Sequence, residues 1–197
     1  MRLRIISRIL AIWIGAMVIG CGSTVRFAKP ARESLVLGKT TYQEAVVMYG
    51  KPTLQQPMTL NGENVNSATW SFVGAPDSQP FKKYHIPNKS LAMWFWSDSL
   101  VGYVFTSSFQ EDKTDFDESQ IPRIKKGETR VEEVVKLLGP APGFLVYPCI
   151  RDVDTKALKY FYQQLNSSSD LYIEEATISY NKEGIVTDVT YSTSGVK

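Results

Sequence analysis

Few residues in this chain have the type and spacing that catalysis or metal binding requires. His85 is the one histidine, and no acidic residue or cysteine stands beside it. The acidic run from Glu111 to Glu118 lacks the glycine and the ligand spacing of a calcium-binding EF-hand loop, so a solvated linker is the favoured interpretation. Cys149, between Pro148 and Ile150, is interpreted as a small buried apolar side chain rather than a nucleophile. We therefore expect no catalytic residue, no metal and no cofactor.

The N-terminus offers a different chemistry, covalent acylation of a cysteine. A basic segment with Arg2, Arg4 and Arg8 precedes an apolar run from Ile9 to Ile19, and Gly20-Cys21 follows. This order is typical of a secretory signal, and at about 11 residues the apolar run is shorter than the roughly 20 that span a membrane. A cysteine after a small residue resembles the bacterial lipobox. We therefore predict cleavage after residue 20 and lipidation of Cys21; an ordinary signal with an incidental cysteine is the alternative.

Removal of the signal changes the charge of the protein. The full chain has 22 basic and 20 acidic side chains; loss of three signal arginines leaves 19 basic and 20 acidic, a net charge of −1. The mature protein then lacks the positive charge that attracts nucleic acid. Its expected partners are the membrane, through the N-terminal lipid, and a protein of the cell envelope. No nucleic acid and no small-molecule substrate are expected.

A helix-like segment occurs twice. Both copies begin with glycine-x-threonine and end with glycine and a nearby proline, over Gly38–Gly50 and Gly127–Gly139. Thr40 with Gln43, and Thr129 with Glu132, fit the capping box of a helix start. Apolar residues then follow the spacing of one buried helix face, which predicts equivalent buried positions for Val46 and Val135. An internal duplication is the simplest explanation.

Each copy is followed by segments with the composition of strands. The first set is Ala68–Val73, Leu91–Trp96 and Leu100–Phe109, and the second is Lys159–Gln163, Glu175–Tyr180 and Ile185–Thr193. These segments predict an α+β fold of two tandem repeats, each a short helical segment followed by a roughly three-stranded antiparallel sheet. The predicted divisions are a signal peptide (1–20), a lipidated N-terminus and tether (21–34), repeat 1 (35–109), an acidic linker (110–120) and repeat 2 (121–197).

The helix start, terminal glycine, proline and following sheet resemble the SmpA/OmlA family of BamE-like outer-membrane lipoproteins. Two such units in tandem, over Leu35 to Thr193, also look like the fold of β-lactamase inhibitory proteins. Both groups are binding proteins without catalysis. The resemblance implies the same for this chain.

The strands of repeat 1 are apolar on both faces, whereas those of repeat 2 have one polar face with Thr177 and Ser179. Since a helix covers only one face, the second apolar face of repeat 1 needs a cover, and this could be repeat 2, the loop of residues 75–90 or another protein. Large apolar patches mark interaction sites. The candidate partner surface is Met93, Phe95, Tyr103 and Phe105, with internal packing as the alternative.

These expectations combine into a lipid-anchored periplasmic binding or scaffold protein that supports outer-membrane protein assembly or envelope integrity. Gly22, rather than aspartate, follows the lipidated cysteine, which favours the outer membrane. The alternative function is a proteinaceous inhibitor of a secreted or periplasmic enzyme. An enzyme is a third class, which a single histidine makes the weakest of the three.

Replacement of Cys21 by serine tests the lipid anchor. Because serine cannot accept the thioether-linked lipid, Cys21→Ser should appear in the soluble fraction or remain uncleaved. Fractionation and mass spectrometry of the N-terminus provide the measurement. A Cys21→Ser protein that is cleaved and still sediments with membranes like the unaltered chain would contradict the prediction.

Overall fold

The computed structural model describes residues 27–31, 33–74, 85–166 and 171–196. The predicted signal segment and Cys21 lie outside these residues. Among the described helices, none has the length and apolar character needed to cross a bilayer.

Nine strands form one antiparallel sheet in the described part of the chain. They are β1 (Leu54–Leu60), β2 (Glu63–Val73), β3 (His85–Ile86), β4 (Asn88–Trp96), β5 (Ser99–Ser107), β6 (Gly143–Leu145), β7 (Lys156–Asn166), β8 (Leu171–Tyr180) and β9 (Val186–Ser194). Their order is β1-β2-β4-β5-β6-β7-β8-β9, and β3 pairs with the end of β7. Helices α1 (Tyr42–Tyr49) and α2 (Val131–Leu138) pack on one face, and a 3₁₀ helix spans Glu118–Arg123.

This single sheet corrects the predicted fold class of two repeats with separate three-stranded sheets. The short strand β6 pairs with β5 on one side and with β7 on the other, so hydrogen bonding is continuous across the whole molecule. The physical reason is that a β5 edge left alone would present unpaired backbone groups. At Gly143 a Cβ would lie 2.6 Å from the Tyr103 carbonyl oxygen, so this close pairing requires glycine.

The acidic segment between the two predicted repeats also joins them. Thr114 is buried, and its hydroxyl donates to the Phe161 carbonyl of β7 at 2.9 Å. Asp112 accepts from Lys89 Nζ at 2.6 Å and from the Ser107 hydroxyl. Lys89 is almost fully buried, so this ion pair and its hydrogen bonds hold the segment against β4 and β5. The segment is therefore packed at Asp112, Thr114 and Phe116, while residues 110, 111, 113 and 117–119 are exposed as expected for a linker.

The two helices occur where the sequence pattern predicts them, but the N-cap residue of each is one position later than predicted. Thr41 and Glu44 form the capping box of α1, and the Arg130 amide donates to Glu133 at 2.9 Å in α2. Thr40 and Thr129 instead accept hydrogen bonds from backbone amides four residues earlier, at 2.9 and 2.7 Å. The threonines that suggested caps thus close the turns that precede the helices.

Each helix covers a separate part of the core. Under α1 lie buried residues of β2, β4 and β5 with Phe27 and Leu35; under α2 lie residues of β7, β8 and β9 with Phe116. Phe144 of β6 touches both clusters. The predicted equivalence of Val46 and Val135 as buried positions is wrong, since Val135 is 37% exposed while Val134 is fully buried.

Aspartate substitutions at two neighbouring valines of α2 should lower the stability of the protein by very different amounts. Val134→Asp buries an unpaired charge and should lower the free energy of unfolding by about 3 kcal/mol or more. Val135→Asp, at a partly exposed site, should change it by only about 0.5 kcal/mol. Urea unfolding followed by circular dichroism measures both. Equal losses would contradict the observed orientation of α2.

Candidate functional site

The predicted partner surface is part of the helix-side core. Met93, Phe95, Tyr103 and Phe105 have exposed fractions of 0, 2, 6 and 0%. The ring of Phe95 meets that of Tyr42 from α1 edge-to-face, with centroids 5.6 Å apart. The Phe105 ring meets that of Phe27 at 6.3 Å. Internal packing, the alternative considered from the sequence, thus accounts for the position of all four side chains.

The opposite side of the sheet, here called the outer face, carries no helix among the described residues. Trp94 and Trp96 lie half-buried on it, next to the connection between β6 and β7 over residues 146–155, here called the β6–β7 loop. The Trp96 and Tyr147 rings meet edge-to-face at 5.6 Å. Trp94 packs beside Cys149 with the buried side chains of Leu145, Ile150 and Ala157. The apolar side of β4 that faces away from the helices is therefore partly covered by a loop from the other half of the chain.

Glu63 of β2 fixes this loop. Its carboxylate accepts from Trp96 Nε1 at 3.1 Å and from the Tyr147 hydroxyl at 3.2 Å. Burial and the Glu63 carboxylate raise the pKa of Tyr147, so the hydroxyl stays a donor. The Asn61 amide adds a hydrogen bond to the Pro148 carbonyl at 2.9 Å. The bond from Tyr147 to Glu63 is charge-assisted and so stronger than a neutral one, and with the Asn61 bond it holds the loop in one place.

Cys149 belongs to the β6–β7 loop, and its half-buried side chain packs between the loop and the sheet. Burial raises the pKa of its thiol to about 12, so the nucleophilic thiolate is absent at neutral pH. A Cβ at Gly102 would lie 3.0 Å from Cys149 Sγ and 2.8 Å from Leu145. Glycine in β5 is thus what allows the loop to approach the sheet.

Beyond the loop the outer face is polar and open. A groove of about 450 Å³ runs between the loop and strands β7 to β9. Its walls combine charged, hydroxyl and apolar residues: Leu145, Cys149, Ile150, Arg151, Asp152, Thr155, Lys159, Thr177, Ser179, Thr187, Asp188 and Thr190. The predicted polar face with Thr177 and Ser179 is confirmed by this position.

An ion pair organises the outer face of β7 and β8. Lys159 Nζ donates to Glu175 at 2.7 Å and to the Thr177 hydroxyl at 3.0 Å. The hydrogen bond from Lys159 is the main cause that lowers the pKa of Glu175, and Ser192 contributes a further one. A lowered carboxyl pKa means that the pair contributes stability above the ordinary glutamate pKa and loses it as the pH falls through the folded-state value. These side chains are thus engaged with each other.

The described residues contain no group of three or more histidine, cysteine and acidic side chains placed to hold a metal. His85 lies in β3, where its backbone pairs with Asn166 of β7. Sequence reasoning missed Glu63, Tyr147 and Asn61, because their contacts join positions more than 80 residues apart and leave no local pattern.

Comparisons with known proteins give a distant structural likeness. No family model and no curated protein matches the sequence, so the resemblance to the SmpA/OmlA family finds no support there. Among solved structures the chain is similar to a Streptococcus mutans protein described provisionally as a beta-lactamase inhibitor protein. The two share 14% identity over 78% of this chain and 82% of the other, with a TM-score of 0.40. A likeness at this level does not define a family or a function.

Release of the β6–β7 loop should expose Cys149. In a chain with Cys21→Ser, the remaining thiol should react slowly with a disulfide reagent. Glu63→Ala removes the acceptor of the Tyr147 hydroxyl, which anchors the loop, and should raise the reaction rate on the order of tenfold, since about 1.4 kcal/mol corresponds to a factor of ten in loop opening.

Glu175→Ala is the matched control, because it removes a glutamate from the same face away from the loop. Its thiol should react at the rate of the parent chain. An unchanged rate in Glu63→Ala, measured by absorbance at constant pH, would show that Glu63 does not hold the loop.

Proposed function

We propose that this chain is a lipid-anchored protein of the bacterial cell envelope that binds a protein partner on the outer face of its sheet. The observation that carries the proposal is the open part of that face, a polar groove bordered by a fixed loop and half-buried tryptophans. The lipobox-like sequence at Cys21 supports the membrane anchor. A scaffold role in outer-membrane protein assembly or envelope integrity is the favoured setting.

The physical character of the outer face favours a protein partner. Aromatic side chains are enriched at the centres of protein interfaces and polar side chains at their rims, and the outer face has Trp94 and Trp96 beside hydroxyl and charged residues. Strand pairing and the Glu63 hydrogen bonds hold these groups in place, so little conformational entropy is lost on binding. Lys159 is bonded to Glu175 and Thr177, which suits a structural role better than proton transfer.

A second candidate function is inhibition of a secreted or periplasmic enzyme. The β6–β7 loop favours it, because Val153 is 68% exposed between Asp152 and Asp154. An apolar side chain held out on an anchored loop can enter a cleft at a low entropic cost. Binding through this residue would block an active site rather than assemble a complex.

Affinity capture from detergent-solubilised envelopes, with mass spectrometry of the recovered proteins, tests the proposal. The double variant Ser179→Arg, Thr190→Arg puts two bulky charges on the outer face and should reduce partner recovery by about tenfold or more, as at interface centres. Gln43→Arg, Met48→Arg, on exposed positions of α1, is the matched control and should recover the partner fully.

The recovered proteins distinguish the two functions. Barrel-assembly proteins, lost with the outer-face variant, support the scaffold role. A single hydrolase, lost when Val153→Asp is introduced, supports the inhibitor. Equal recovery with the outer-face variant and its control would contradict a partner on this face.

A further inference from the structure

A second cavity lies on the helix side of the sheet, away from the outer face. Its volume is about 660 Å³, within the roughly 300–1,000 Å³ of small-molecule sites. Phe144 of β6 is the half-buried side chain at its floor, and the nearly fully buried Tyr103, Phe105 and Leu158 surround it. Val131 and Val135 of α2 and the turn of residues 140–142 form one wall, and Lys29 and Pro30 lie at its border. The lining is therefore mostly apolar.

The cavity exists because the two helices do not cover the middle of the sheet. Each helix has only eight residues, about 12 Å in length, and each packs on its own cluster. Phe144 of β6 lies between the clusters and is only partly buried. Its ring and that of Tyr103 lie 5.8 Å apart. A continuous sheet with two short helices thus leaves an apolar gap over its central strands.

Three charged residues line the cavity. Lys29 and Lys136 are both exposed, and Glu132 is the one acidic residue in the lining. Within the described ranges, the salt bridges involve other lysines, those at positions 89, 113, 159 and 182. The lining thus has a net positive charge next to apolar walls. This combination is complementary to a molecule with an anionic head and an alkyl chain.

The start of the described chain places this cavity near the proposed anchor. Phe27 packs in the core against Phe105 and Tyr49, and Lys29 follows at the cavity. Cys21 precedes Phe27 by six residues, which span at most about 22 Å. If Cys21 is lipidated, as the proposed function holds, the cavity stays close to the bilayer, where long-chain fatty acids partition. The binding itself does not depend on the anchor.

We propose that this cavity binds a medium- or long-chain fatty acid. The alkyl chain lies against Val131, Val135 and Phe144, and the carboxylate lies near Lys29 and Lys136. Burial of the chain removes apolar surface from water, and the two ammonium groups favour the charged head. The site is separate from the outer face, so a protein partner and a fatty acid can bind together.

Calorimetric titration with sodium dodecanoate, below its micelle concentration, tests this proposal on the full chain with Cys21→Ser. Saturable binding with one molecule per chain is expected. Val135→Trp fills the cavity from a partly exposed position and should weaken binding at least about tenfold. Met48→Trp, on the exposed side of α1, is the matched control and should leave it unchanged. Circular dichroism establishes that both variants are folded.

A second pair of variants tests whether the lysines at the cavity contribute to binding of the carboxylate. Lys136→Glu should weaken dodecanoate binding by about fivefold or more and leave the binding of uncharged dodecanol unchanged, whereas Lys51→Glu should alter neither. This second variant keeps the proposal testable if Val135→Trp does not fold. Absence of saturable dodecanoate binding, equal affinity in Val135→Trp, or insensitivity to Lys136→Glu would each overturn it.

Binding of phospholipid vesicles without dodecanoate binding would also overturn it, since it would place the lipid contact elsewhere. The titration contains no protein partner, so its failure leaves the outer-face proposal standing. Conversely, loss of partner recovery in the outer-face variant has no bearing on dodecanoate.

Discussion

Backbone pairing of β6 with both β5 and β7 is the interaction on which the rest of the structure depends. Only three residues, Gly143–Leu145, make the bridge, yet without it the chain would form two half-sheets with open edges. Gly143 permits the close approach to Tyr103. Further contacts reinforce this connection between the two halves of the chain, here called the joint. Thr114 bonds to Phe161, and Gln163 bonds to Asn88 at 3.0 Å. The joint is therefore both a hydrogen-bonded and a packed connection.

A continuous sheet has two faces with different roles. On the helix side, α1 and α2 bury the apolar residues of their own strands and leave a gap over β6. On the outer face, the same joint brings the β6–β7 loop over Trp94 and Trp96, so that residues from both halves form one surface. The geometry of each proposed binding site is thus a consequence of how the two halves meet.

Local features of the fold were predictable from the sequence. Capping residues and apolar spacing located α1 and α2, and alternation along β8 placed Thr177 and Ser179 on a polar face. Those signals act between residues close in the chain. These local signals locate helix starts less exactly, since Thr40 and Thr129 close the preceding turns instead of capping the helices. The rotation of α2 that exposes Val135 depends on tertiary packing.

The long-range features were not predictable in the same way. A three-residue strand such as β6 has no periodicity to detect, so the single sheet was missed. Alternation showed that Met93 and Phe95 share a face with each other, but not that α1 covers that face. Likewise, the bond from Tyr147 to Glu63 depends on the fold itself. The candidate site therefore had to be found from the structure, with only its polar strand residues foreseen.

The packing of Cys149 has a consequence for the redox chemistry of the protein. Disulfide exchange and oxidation both proceed through the thiolate, and at a pKa of about 12 almost none of it exists near neutral pH. In an oxidising compartment such as the periplasm, an exposed cysteine would form mixed disulfides with other exported proteins. Cys149 lies within the β6–β7 loop and packs beside Trp94, so in the proposed periplasmic location the folded protein can keep this cysteine reduced. That packing is absent from the unfolded chain, where the thiol regains its ordinary pKa and reactivity.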